Sequence, residues 1–351
     1  MADGADRRTA GDQPPAAAGH PVRTAPRPFG GPAERPALSE AGEPPGAARR
    51  AGWFKRALPI AISLALVTAL WWRVDVGAIL AAAADARPEW LLGGLLAVLP
   101  LTLGIALRFK WLTGAAIGLP ITARLILAAS TLNLFLPSKM GDLAKAWVLE
   151  RHHGFERKFA ISLVVFEKLL DLLALLAVGA VTLLAMGPRD PVFLGGAGLV
   201  TAGLIVLCLA ISPLAERVPV PRLLGGFAAE WHGLIRWFWS RPGRALGTIG
   251  FSLLLWAGHL AQVWMFAHAL GPVPLVPAMG AATLSIIVGL LPFTIAGIGT
   301  RDLAIVFFFG AWLSPAQCAA LGMLVTLRYV LPAVAGLPFV NDYWRPAEAK
   351  A

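Results

Sequence analysis

Glu167 and Asp171 stand four residues apart inside an apolar run that extends over 159–186, a spacing that puts both carboxylates on one helix face. At 1.5 Å per residue from Phe159, Asp171 lies about 18 Å along the segment, near the middle of a bilayer core roughly 30 Å thick. Lys168 sits beside them, and Arg328 lies at comparable depth in a late apolar run. A charge at the bilayer centre costs ~2.5–3.5 kcal/mol on insertion scales, so such groups turn to a cavity or to a partner. Two uses fit these residues, and they are compatible. One is an ion pair locking two parts of the chain together, with Asp171 and Arg328 as the partners. The other is a polar lining for a head-group path or a proton relay.

Two further stretches place charge and glycine where a membrane helix should continue. The first is Asn133-Leu-Phe-Leu-Pro137-Ser-Lys139-Met-Gly141-Asp142-Leu-Ala-Lys145; the second is Leu290-Leu-Pro292-Phe-Thr-Ile-Ala-Gly297-Ile-Gly299-Thr-Arg301-Asp302-Leu-Ala304. Each stops an apolar segment at Leu-Pro and resumes at Asp-Leu-Ala. Irregular backbone inside a membrane persists only where protein or a wet cavity satisfies its N–H and C=O groups. Paired broken segments in corresponding halves point to a transporter's binding site. Backbone N–H groups at the breaks, with Lys139 and Arg301, would supply positive charge for a phosphate.

The remaining polar residues carry less. His259 and Gln262 share a face within a span and read as an interhelical packing pair more readily than as a proton-transfer site. His268 lies about half a turn round the helix from His259, so the two cannot chelate one metal. His152-His153 read as surface residues in a basic segment. No metal-ligand spacing, phosphate-binding Gly-Lys-Ser loop or nucleophile elbow occurs, so neither a cofactor nor nucleotide-driven pumping is expected.

The elements that must position these groups are membrane helices. Of 351 residues, 57% are hydrophobic and 14% charged, against roughly 25% charged in a soluble domain; the mean hydropathy is +0.70. The Leu/Ala/Val/Gly-rich runs are too long for barrel strands, so the fold class is all-α and polytopic. The net charge of +10 serves topology and lipid head groups rather than nucleic acid. Cys208 and Cys318 lie in or beside apolar runs and suggest no disulfide framework.

Residues 1–52, rich in Pro, Ala, Gly and Arg, have too little apolar surface to order themselves and read as a disordered cytoplasmic tail. The membrane domain occupies 53–341, with a short tail at 342–351. Full spans are expected near 57–72, 90–107, 159–186, 192–212, 245–270 and 316–340. Re-entrant segments are expected at 121–137 and 276–293, the first followed by an amphipathic stretch at 141–153. The basic loop 213–244 carries Trp231, Trp237 and Trp239, which suggest a helix lying in the interface. Basic residues before the first span put both termini in the cytoplasm of a cell's inner membrane, with Arg301-Asp302 open on the outer side. Halves at about 57–186 and 192–340 then repeat with inverted topology. One register supports the repeat: Asp142-Leu-Ala aligns with Asp302-Leu-Ala, and the same offset aligns Lys168 with Arg328.

Arg108-Phe-Lys110-Trp111-Leu112 at a span's end, Asn133…Leu136-Pro137…Gly141-Asp142, Glu167-Lys-Leu-Leu-Asp171 and Gly297-Ile-Gly-Thr-Arg301-Asp302 resemble, in order and spacing, the flippase-like transmembrane domain of lysylphosphatidylglycerol synthases. The resemblance covers nearly all of 57–340. The late motif of that family usually ends in Arg-Glu, where this chain has the shorter Arg301-Asp302. The chain ends at Ala351, leaving no room for the soluble aminoacyl-transferase domain of the two-part enzymes. The resemblance therefore implies lipid translocation or a related lipid-handling role rather than lipid synthesis, without the identity of the lipid. The leading reading of the residues is movement of an anionic or phosphate-linked lipid, such as a polyprenyl-linked one, between leaflets. Arg108 and Lys110 would gather head groups at the cytoplasmic surface. Asn133, Lys139, Asp142, Glu167, Asp171, Arg301, Asp302 and Arg328 would line the path. Two other readings use the same residues: a membrane-embedded lipid-modifying enzyme with Glu167 and Asp171 as acid and base, and a non-catalytic partner in a lipid-synthesis complex.

Overall fold

Backbone N–H and C=O groups in hydrocarbon must be satisfied within their own segment, which leaves a Leu- and Ala-rich chain the helix. The computed structural model describes residues 76–135, 141–186, 191–217, 225–291 and 299–341, and every regular element among them is helical. The tail at 1–52, the span expected at 57–72, the break at 136–140 with Pro137 and Lys139, the segment 292–298 and the tail at 342–351 lie outside the described residues.

In chain order the helices are α1 (Val76–Ala84), α2 (Pro88–Leu96), α3 (Val98–Leu112), α4 (Leu119–Phe135), α5 (Gly141–His153) and α6 (Arg157–Ala185). They continue as α7 (Pro191–Ile211), α8 (Gly225–Trp239), α9 (Pro242–Leu270), α10 (Leu275–Gly289), α11 (Thr300–Phe309) and α12 (Pro315–Gly336). Local chemistry sets their starts. Pro88, Pro242 and Pro315 each occupy a first turn, where a missing N–H costs nothing. Ser314 and Gln317 cap α12 reciprocally: Ser314 Oγ accepts from the Gln317 N–H at 3.3 Å, and Gln317 Oε1 accepts from the Ser314 N–H at 2.9 Å. Arg87, just before α2, donates to the carbonyls of His268 and Gly271, which closes the far end of α9.

Four stretches are long and apolar enough to cross a membrane: Pro88–Leu112, Pro191–Ile211, Pro242–Leu270 and Pro315–Phe339. α4 and α10 are not. Their 17 and 15 residues make rods of about 26 Å and about 23 Å, short of a core roughly 30 Å thick. Each packs instead against the helix that follows it, α4 on α5 and α10 on α11, as a re-entrant hairpin does. α6 has 29 residues, and α5, α7, α9 and α10 surround it. Protein encloses Glu167 fully and Asp171 in large part.

The packing is also two-fold. α3–α4–α5–α6 and α9–α10–α11–α12 run in the same order, α3 lies against α9, and each short helix crosses to the other half's last long helix, α4 to α12 and α10 to α6. Thr131 Oγ1 ties the first crossing by donating to the Ala333 carbonyl at 2.6 Å. Both hairpins close at matching positions. A Cβ on Gly141 would meet the Ala129 carbonyl oxygen at 2.5 Å and the Asn133 nitrogen at 2.6 Å. In the second hairpin the glycine sits on the opposite arm: a Cβ on Gly289 would meet Arg301 Cβ at 2.9 Å. Gly141 and Ala129 stand to one another as Arg301 and Gly289 do.

The helix expected from the tryptophans of the 213–244 loop is α8, and its half-buried indoles also contact protein. Trp231 Nε1 donates to the Ala210 carbonyl at 3.2 Å and Trp239 Nε1 to that of Ile211 at 2.8 Å. These are carbonyls at the end of α7 that the helix itself leaves unpaired. Trp237 packs edge-on to Phe159 and beneath the Arg244 guanidinium. The rings cap and seat helices while each keeps part of its surface exposed.

Candidate functional site

α6 presents Glu167, Lys168 and Asp171 toward α3 and α5, and the hairpin glycine Gly141 sets α5 close enough to answer them. From α5, Lys145 reaches Glu167 at 2.5 Å and Asp142, one turn back, at 2.9 Å; it is 1% exposed. From α3, Arg108 reaches Asp171 at 2.6 Å and Glu167 at 3.7 Å. Lys168 closes the set with Asp142 at 3.3 Å and Asp171 at 3.5 Å. Every carboxylate here touches two cations, and every cation two carboxylates. From α9, Trp256 Nε1 donates to Asp171 at 3.1 Å and Ser252 Oγ accepts from Arg108 at 3.3 Å.

The second half is sparser. Gly299 takes φ +96°, which an L side chain avoids, and its N–H donates to Asp302 Oδ2 at 3.0 Å. That turn starts α11 and points Asp302 at Arg301, whose Nη2 reaches it at 2.9 Å and Thr326 Oγ1 at 2.6 Å. Arg328, on α12, is buried; it donates to the His259 carbonyl at 3.3 Å and to Tyr329 Oη at 2.6 Å. Among the described residues no carboxylate lies within ion-pair distance of it, and its Nε has no acceptor.

Between the halves lies a cavity of about 260 Å³. Asn133, Asp142, Lys145, Glu167, Lys168, Asp171, Arg301 and Arg328 line it, with Trp256, His259, Gln262 and Tyr329; Val98, Leu101, Ile105, Leu134 and Leu255 are among its apolar lining. Asn133 Oδ1, Gln262 Oε1 and His259 Nδ1 are buried there without a hydrogen-bond partner. Gln262 spends its amide N–H on the Gly94 carbonyl at 2.7 Å, the interhelical bond its spacing suggests.

Several expectations need correction. Asp171 and Arg328 border one cavity but do not pair, because Arg108 already occupies Asp171 and Arg328 turns to α9. Arg108 gathers no surface head groups: the last turn of α3 packs against α6 and α9, leaving it 1% exposed behind Asp171. Lys110, in the same turn, is half-buried and outside the cavity lining. Arg301 and Asp302 are buried against each other rather than open on the outer side, so the guanidinium is largely committed before any phosphate arrives. Lys139 lies outside the described residues. His152 and His153 are half-buried, and burial followed by the neighbouring His152 holds His153 below the usual imidazole range. Lys145 and Trp256 are site residues that sequence reasoning missed. For Lys145 the signal was its i, i+3 spacing from Asp142, which puts both on one face of α5. For Trp256 the sequence carries none.

Residues 56–336 match the protein family described as the lysylphosphatidylglycerol synthase TM region. No curated protein matches the chain.

Proposed function

Because the chain belongs to the lysylphosphatidylglycerol synthase transmembrane-region family, we propose that it is a multi-pass lipid transporter that moves a lipid with a phosphate-linked head group between leaflets. The observation that carries this reading is the cavity between the halves, lined by both ionic and apolar side chains. Its 260 Å³ lies just below the range of roughly 300–1,000 Å³ typical of small-molecule sites. A head group fits such a space and acyl chains do not; they would trail outside it. Two pseudo-symmetric halves meeting at one polar site are the geometry of alternating access, in which one half rocks against the other. We place the protein in a cell's inner membrane with both termini cytoplasmic, on the distribution of basic residues.

The same site favours transport over chemistry. A general acid or base needs a free lone pair or proton within reach of its substrate. Asp171 is held by Arg108, Lys168 and Trp256; Glu167 keeps one oxygen, Oε1, without a hydrogen bond, but that carboxylate is fully buried between Lys145 and Arg108. The test is reconstitution of the full-length protein into vesicles with a phosphate-linked lipid labelled on one leaflet. Exchange faster than in protein-free vesicles, with the lipid's mass unchanged, is expected. A covalently altered lipid with no added exchange would overturn the reading in favour of an enzyme.

A further inference from the structure

Lys168 and Arg328 share one register of the repeat, but their surroundings differ. Lys168 pairs with Asp142 and with Asp171, three residues on. In the second half the mate of Asp142 is Asp302, which Arg301 has taken, and the mate of Asp171 is the apolar Leu331. Arg328 is thus left without either of the carboxylates its counterpart has. Around the cavity the described cations are Arg108, Lys145, Lys168, Arg301 and Arg328; the carboxylates are Asp142, Glu167, Asp171 and Asp302. One positive charge is uncompensated. It belongs to a side chain 6% exposed that lines the cavity and keeps a free Nε–H.

We propose that Arg328 is the anchor for a single negative charge in this cavity, so that the site selects a phosphodiester monoanion over zwitterionic, cationic and pyrophosphate-linked lipids. The inference rests on the lipid-transport reading and narrows its substrate class. Coulomb balance gives the selectivity. A monoanion neutralises the site, a pyrophosphate leaves surplus negative charge beside Asp142 and Asp171, and added ammonium groups on the lipid restore the imbalance. The planar guanidinium also suits the two free oxygens of a phosphodiester.

The test titrates the full-length protein in detergent with short-chain phosphatidylglycerol, phosphatidylcholine, a lysyl-carrying phosphatidylglycerol, a pyrophosphate-linked lipid and inorganic phosphate, reading the ligand-dependent thermal shift. The monoanionic lipid is expected to bind about tenfold or more tightly than the others, the scale of one charge-assisted hydrogen bond. Arg328→Gln should erase that preference, and Arg328→Lys should keep part of it. Leu331→Asp should erase it too while leaving the guanidinium in place, because it gives Arg328 the carboxylate that Lys168 has. This variant keeps the test decisive if Arg328→Gln does not fold. No preference in the wild type, an intact preference in Leu331→Asp, or tightest binding of the pyrophosphate lipid each overturns the proposal. Inorganic phosphate binding as tightly as phosphatidylglycerol would overturn the selection of a phosphodiester lipid. Vesicle exchange without head-group preference would sink this inference alone and leave transport standing.

Discussion

The two hairpin halves are built alike and charged differently. Around α6, Arg108, Lys145 and Lys168 are interleaved with Asp142, Glu167 and Asp171, each ion held by at least two of opposite sign. Around α12, one pair, Arg301 and Asp302, closes on itself and Arg328 stands apart. A repeat fixes where helices go; it does not oblige both copies to carry the same ions. The first half behaves as a closed electrostatic unit that holds α3, α5 and α6 together. The second keeps a cation in reserve facing the cavity.

Breaking the closed unit should have the largest effect. Asp171→Ala strips Arg108 of its 2.6 Å partner inside the protein, and removing one member of a buried pair typically costs ~3–5 kcal/mol. Thermal unfolding in detergent should show a large drop for this variant. A small drop would mean that the first half is not closed.

The hairpins come next. Gly141→Ala pushes a methyl against the Ala129 carbonyl and the Asn133 backbone, neither of which can swing away. Gly289→Ala meets one residue, Arg301, at the longer distance of 2.9 Å to its Cβ, with Cγ and Cα farther off. Overpacking costs range over ~1–3 kcal/mol, and Gly141→Ala belongs at the upper end and Gly289→Ala at the lower. Equal losses would show that the two arms close equally tightly.

Removing the reserve cation should cost little. Arg328→Leu leaves no carboxylate unpaired, so unfolding should shift by less than about 1 kcal/mol in either direction. A loss as large as that of Asp171→Ala would place a hidden partner at Arg328. Smallest of all is Lys110→Gln, outside the cavity, expected within about 0.5 kcal/mol of wild type by the same measurement.

Much of the fold was legible because the membrane simplifies it. Hydropathy and proline positions place α4, α6, α7, α9, α10 and α12 within a few residues of where they fall. The register of Asp142 with Asp302 anticipates hairpins that close at matching positions. The site was legible as a set of residues but not as a set of pairs. Asp171 and Arg328 share depth and register, which suggests partnership, yet depth says nothing about rotation round the helix. Arg108 looks like a surface arginine at a span's end, and only the packing of α3 against α6 shows that its guanidinium turns inward. Lys145, in a helix that reads as amphipathic and superficial, is likewise drawn in by Glu167. Partner choice is a tertiary property; charge at a given depth is a sequence property.

Asp171 belongs to Arg108, which leaves Arg328 free for a ligand. Two double-mutant cycles on unfolding in detergent decide it directly, one on Arg108 and Asp171 and one on Asp171 and Arg328. A coupling of about 2 kcal/mol or more is expected for the first pair and additivity within about 0.5 kcal/mol for the second. A strong coupling between Asp171 and Arg328, with none between Arg108 and Asp171, would contradict this pairing.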